Sequence, residues 1–104
     1  MRIGLGVVRG RSMEPTYLDG DRLLLLHGGR PRPGRPAVVR IPGSGVVAVK
    51  RVVRREPDGW WVERDNPAHG VDSWTVGAVP DDDVIAVVLV RWWPLRWPRA
   101  AVRD

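Results

Sequence analysis

Cysteine is absent from the 104 residues, which excludes disulfide staples, thiolate zinc sites and thiol nucleophiles. Histidine is scarce: His27 closes a leucine run before Gly-Gly, and His69 lies in the turn-like NPAHG. A Ser-His-Asp site would have to draw on one of those two, and neither stands in a setting that fixes its ring. No apolar run approaches the roughly 20 residues that cross a bilayer. Arg2 and Arg9 bracket an N-terminal apolar stretch too short for a signal peptide. These absences lead us to expect a cytoplasmic protein with no membrane span. Lysine is the scarcest charged residue, with Lys50 standing alone against sixteen arginines.

What is present leads us to expect one small domain, residues 1–104, with a single core and no transmembrane anchor. The chain is 43% hydrophobic and 28% charged, the balance of a soluble globular domain. Its formal charge of +5 comes from arginines spread over every segment rather than gathered in a tract, so no nucleic-acid partner is expected. Ten prolines and twelve glycines disfavour long helices and favour short strands joined by turns.

Turn-bounded apolar runs predict strands over 3–8, 22–27, 37–41, 46–54, 60–64 and 84–91. Pro57-Asp58-Gly59 makes 54–60 a hairpin. The Pro/Gly-rich 27–36 segment reads as an exposed connector, and 81–83 (DDD) as a solvated turn entering a strand. Only 12–18 invites a short helix, with Ser12 as its N-cap. The expected fold class is mostly β with little helix: a small, twisted, antiparallel sheet body or partly open barrel. In the tail from Arg91 onward, tryptophans are expected to cover the sheet with arginine stems packed on them.

Lys50 lies in VVAVKRVV, where period-two alternation places it on one face with Val46, Ala48 and Val52 and turns Arg51 to the other. An ammonium can lose its proton when desolvated, whereas a guanidinium stays charged, so lysine alone among the basic residues of this strand can become a neutral base. Apolar neighbours push its pKa down. A serine nucleophile needs such a base, and lysine is one known solution. Ser12 is the candidate; taken singly, Ser12 also fits a helix cap, and Lys50 a snorkelling or ion-paired side chain.

Three stretches, in order, sharpen the reading. RSMEPTYLDGDRLLL (11–25), VVAVKRVV (46–53) and RDNPAHGVDSWTVGAVP (64–80) resemble the nucleophile, lysine and terminal boxes of the signal-peptidase-like (S26-type) Ser-Lys serine proteases. Within that group RREPDGWWVERDNP (54–67), the short N-terminus and the Trp-Pro-rich end most resemble the maturation proteases of nickel-containing superoxide dismutase. The resemblance implies a serine endopeptidase with Ser12 and Lys50 as catalytic dyad. Its partner would be a nickel superoxide dismutase precursor, from which it removes an N-terminal leader. The chemistry needs no cofactor and no metal. The resemblance further implies Gly10 and Ser12 at the nucleophile turn and oxyanion site, with stabilisation by backbone N–H groups, and Met13 lining a shallow substrate pocket. Arg51, Asp65, Asn66, Asp72 and Ser73 would support the site, with Asp72 pairing Arg51 or simply forming a turn. The chain departs from the pattern at Gly10, at Arg64, at Gly70, where a lysine-orienting serine is common, and at Trp74, where arginine is usual. Ser73 or a water would then stand in for the missing hydroxyl. Two alternatives remain: a self-cleaving repressor-type Ser-Lys protease, which expects a DNA-binding domain and linker upstream, and a non-catalytic, basic, Trp-rich β-domain that binds nucleic acid or protein.

Overall fold

A computed structural model describes residues 2–94. Six strands follow the chain: β1 (Arg2–Val7), β2 (Arg22–His27), β3 (Pro36–Arg40), β4 (Val47–Glu56), β5 (Gly59–Glu63) and β6 (Val84–Trp93). Between β5 and β6 lie a one-turn helix, α1 (Ser73–Val76), and a 3-10 turn (Asp81–Asp83). The strands form one sheet in the order β1-β2-β6-β3-β4-β5, and each neighbouring pair is antiparallel. It is an open sheet with β1 and β5 at its ends, the mostly-β architecture that the turn-bounded runs predict.

The central position of β3 explains its unbroken apolar run, because both faces of an inner strand are covered. Val38 enters one cluster with Val8, Leu23, Leu25, Ala86 and Val88. Ala37 and Val39 point the other way and join Ile41, Val52, Val62 and Val79. Burying each such side chain contributes roughly 1.5–3 kcal/mol. Lys50 sits opposite Ala37 in the β3–β4 register and therefore rises on that second face.

Two turns fix the strand ends. In the β4–β5 hairpin Glu56 faces Gly59 across Pro57 and Asp58. Gly59 has φ +148° and lies so close to Val79 that an added Cβ would meet the Val79 carbonyl, so only glycine fits. That approach lets Trp60 and Val79 exchange backbone hydrogen bonds of 2.8 Å, which tie the segment before β6 to β5.

Residues 12–18 form turns rather than the expected helix. A Ser12 cap would need the N–H of residue 14 or 15. Glu14 gives its N–H to the Arg11 carbonyl, and Pro15 has none. Val46 precedes β4 and is 58% exposed, so it is not part of the face carrying Lys50. Of the aromatic tail, Trp92 receives the Arg22 guanidinium 6.0 Å from its ring centroid. Residues 95–104, including Trp97 and its arginine neighbours, lie outside the described residues.

Candidate active site

Ser12 occupies the turn between β1 and β2. Behind it the Asp19-Gly20-Asp21 turn holds the entry: Gly10 (φ +85°) donates its N–H to Asp19 Oδ1 at 2.7 Å, and Leu18 N–H donates to buried Asp21 at 2.8 Å. Asn66 holds the opposite side through both ends of its residue. Its backbone N–H donates to the Ser12 carbonyl at 2.8 Å and its Nδ2 to the Arg11 carbonyl at 3.0 Å, so both carbonyls of this turn are held. Met13 is 2% exposed and anchors the turn from inside. It does not line an open substrate pocket, which corrects its expected role: a thioether so deeply placed is packing, not contact surface.

The structure brings Ser12 and Lys50 together. Lys50 is 2% exposed, and its Nζ donates to Ser12 Oγ at 3.2 Å. Desolvation holds the amine's pKa below the ordinary lysine value; the Arg64 cation adds to the depression, and the Asp72 carboxylate opposes it. Once neutral, the amine lone pair accepts the serine O–H over the same separation. Ser12 is half-buried, and no hydrogen bond among the described residues takes its backbone N–H, which leaves that donor for a carbonyl oxygen. Gly10 supplies turn geometry only, because its N–H is committed to Asp19.

The supporting residues divide differently from expectation. Arg51 does not pair with Asp72. Its fork closes on Asp65, Nε to Oδ1 at 2.9 Å and Nη2 to Oδ2 at 2.7 Å, and Nη1 donates to the Gly34 carbonyl at 2.9 Å. Strand alternation explains the change of partner, since Arg51 leaves β4 on the face away from Lys50, and Asp72 lies on the lysine's side. Asp65 also accepts from Thr16 Oγ1 at 2.6 Å, so one carboxylate joins the Ser12 turn to β4. The hydrogen bonds from Arg51, and then Thr16, hold the Asp65 carboxyl below its usual range against the opposing effect of burial. Asp72 is the N-cap of α1, accepting from Trp74 N–H at 3.1 Å and from Arg64 N–H at 3.2 Å. Ser73 is 1% exposed, and its Oγ accepts the Val62 N–H at 2.9 Å. That bond fastens α1 to β5 and does not orient the lysine.

Gly70 is the neighbour the sequence undervalued. With φ +79°, it backs onto both side chains of the pair: an added Cβ would lie 3.0 Å from Ser12 Cβ and 3.4 Å from Lys50 Nζ. The position marked by a missing hydroxyl is thus one where backbone itself lies against Ser12 and Lys50. Trp74, in place of the usual arginine, is 72% exposed, hydrogen-bonded through Nε1 to Glu63 at 2.9 Å and set edge-on to Trp61. No hydrogen bond joins His27 or His69 to Ser12; His27 packs its ring against Gly4.

A serine hydroxyl beside a buried amine with a depressed pKa, and a vacant N–H on the same residue, can add an oxygen nucleophile to a carbonyl. A family model described as Peptidase S24-like matches residues 4–89. A search of curated proteins found no match. Among the described residues, no helix is long and apolar enough to cross a membrane.

Proposed function

Because the chain belongs to the Peptidase S24-like family, we propose that it is a serine endopeptidase, a single protease domain over 1–104, with Ser12 as nucleophile and Lys50 as general base. Ser12 Oγ attacks the scissile carbonyl as Lys50 Nζ takes its proton. The oxyanion receives the Ser12 N–H. Collapse of the tetrahedral adduct breaks the C–N bond, and Lys50 returns the proton to the leaving amine. The acyl-enzyme is then opened by a water that Lys50 deprotonates, and Ser12 regains its proton. The observation that carries this reading is the 3.2 Å contact between Ser12 and the buried amine of Lys50.

For substrate we take the N-terminal leader of a nickel superoxide dismutase precursor, met in the cytoplasm. Support for it is the likeness of 54–67 and of the three boxes to those maturation proteases. A second reading, self-cleavage of the repressor type, draws on the match to the S24-like rather than the S26-type group. One experiment separates them. Purified protein is incubated with the precursor, with Ser12→Ala as control, and every new N-terminus is read by mass spectrometry. The proposal expects a new precursor terminus with the wild type only. Fragments of the protease itself, formed at a rate independent of its concentration, would favour self-cleavage. No new terminus on either chain would defeat both.

A further inference from the structure

Arg64 is the cation that the sequence pattern does not expect beside Asp65 and Asn66, and the structure gives it two attachments and one buried, unpaired donor. Its backbone N–H is held by Asp72 Oδ2 at 3.2 Å. Its Nη1 donates to the Gly70 carbonyl at 2.7 Å. Its Nε is buried and has no hydrogen-bond partner among the described residues, so part of the guanidinium is kept out of water without compensation. Leaving a charged donor unsatisfied is costly, and the fold places this one beside the wall of the dyad. The Gly70 backbone that Arg64 grips lies against Ser12 and Lys50.

We propose that Arg64 is a positioning residue for the dyad. By holding the Gly70 carbonyl it draws the 66–70 turn over Ser12 and Lys50, keeps water from the amine, and sets a second cation nearby. The proposal rests on the dyad reading of Ser12 and Lys50. Its physical logic is that two effects act in one direction: a closed wall desolvates the ammonium, and a neighbouring positive charge repels it. Among the described residues, the other groups facing the amine are few. Ser12 from the nucleophile turn is neutral, and Ala37 across on β3 is apolar. Asp72 from the α1 cap favours the ammonium more strongly than Arg64 disfavours it, and its oxygens also accept the Trp74 and Arg64 N–H groups. His69, in the same turn as Gly70, is exposed, and Asp65 is turned to Arg51. Arg64 is therefore the charged side chain that opposes the pull of Asp72.

The single lysine makes the test direct. In protein grown with 13Cε-lysine, one resonance reports Lys50, and its pH titration needs no cleavage assay. We expect the Arg64→Gln midpoint to lie above the wild-type midpoint, enough to reduce the neutral amine about three- to tenfold at a fixed pH below both. With the precursor as substrate, kcat should fall by the same factor, recover as pH is raised, and leave KM unchanged. An unmoved titration midpoint in folded Arg64→Gln would overturn the proposal. Should that variant unfold, Arg64→Met, which keeps the apolar stem, takes its place under the same criterion. Failure of both to fold would assign Arg64 to the fold and not to the dyad. Should the wild type cleave nothing, the dyad reading fails, while the titration still decides whether Arg64 governs the amine.

Discussion

Replacing Lys50 by methionine separates the cost of the amine from its use. Methionine matches the length and flexibility of the lysine stem and fills the same space on the β4 face with Val52, opposite Ala37. Lost are the proposed base and a polar group that is 2% exposed, with Ser12 Oγ as its hydrogen-bond partner. Ser12 is half-buried and can turn its hydroxyl to water, so no orphan is left behind. Loss of a positioned general base costs about 10²–10⁴ in rate. Removing a poorly compensated buried amine should stabilise the fold by about 1–2 kcal/mol. The sign with pH follows from the depressed pKa: between the folded and unfolded values the unfolded chain binds more protons, so wild-type stability rises with pH through that window. The methionine variant lacks that slope, and its advantage is greatest below the folded-state pKa. Urea unfolding at several pH values, beside the precursor cleavage rate, measures both effects. A Lys50→Met protein that cleaves at more than a tenth of the wild-type rate, or is less stable at every pH, would refute the reasoning. Lys50→Arg is the harsher companion: a guanidinium cannot shed its charge there, so we expect inactivity together with a loss of several kcal/mol.

Cleavage by the wild type should rise with pH through a midpoint below that of ordinary lysine, and a profile flat between about pH 5 and 10 would count against a lysine base. Gly70→Ala puts a Cβ into a positive-φ site and against Ser12, so a loss of about 1–2 kcal/mol in urea unfolding and a slower kcat are expected. Asn66→Ala frees the Arg11 and Ser12 carbonyls and should lower kcat about tenfold, with KM held, in steady-state kinetics. Asp65→Asn weakens the Arg51 fork and the Thr16 bond. The stability carried by this carboxylate is fully present above the ordinary aspartate value of 3.8 and lost as pH falls through the lower folded value, so the variant should be about 1–3 kcal/mol weaker at neutral pH and show a shallower acid limb in thermal melts.

The sheet was legible because its strands are short apolar runs closed by turn residues whose φ requirements are local. The 54–60 hairpin follows from Pro57-Asp58-Gly59, and the opposite facing of Lys50 and Arg51 follows from strand alternation alone. What alternation cannot give is a partner. Asp65 and Asp72 sit in an irregular segment without period, and which of them meets Arg51 depends on a path that only tertiary contacts fix. The same segment hid α1, whose capping Asp72 reads as a turn residue when its four-residue helix carries no repeating pattern. Met13 was misplaced because an apolar residue beside a nucleophile serves equally as pocket wall or as anchor, and burial decides between them. Gly70 left a trace in its departure from a family pattern, yet its closeness to both Ser12 and Lys50 spans 58 and 20 positions of chain.

A Ser12 nucleophile must carry, for part of each turnover, a covalent bond to the substrate's acyl carbon. Wild type and Lys50→Met are mixed with precursor, quenched in acid within the first turnover, digested and mapped by mass spectrometry. We expect the acyl fragment on Ser12 in the wild type and nowhere in the variant. An adduct on any other residue, or an equal yield without Lys50, would contradict the pairing of these two side chains.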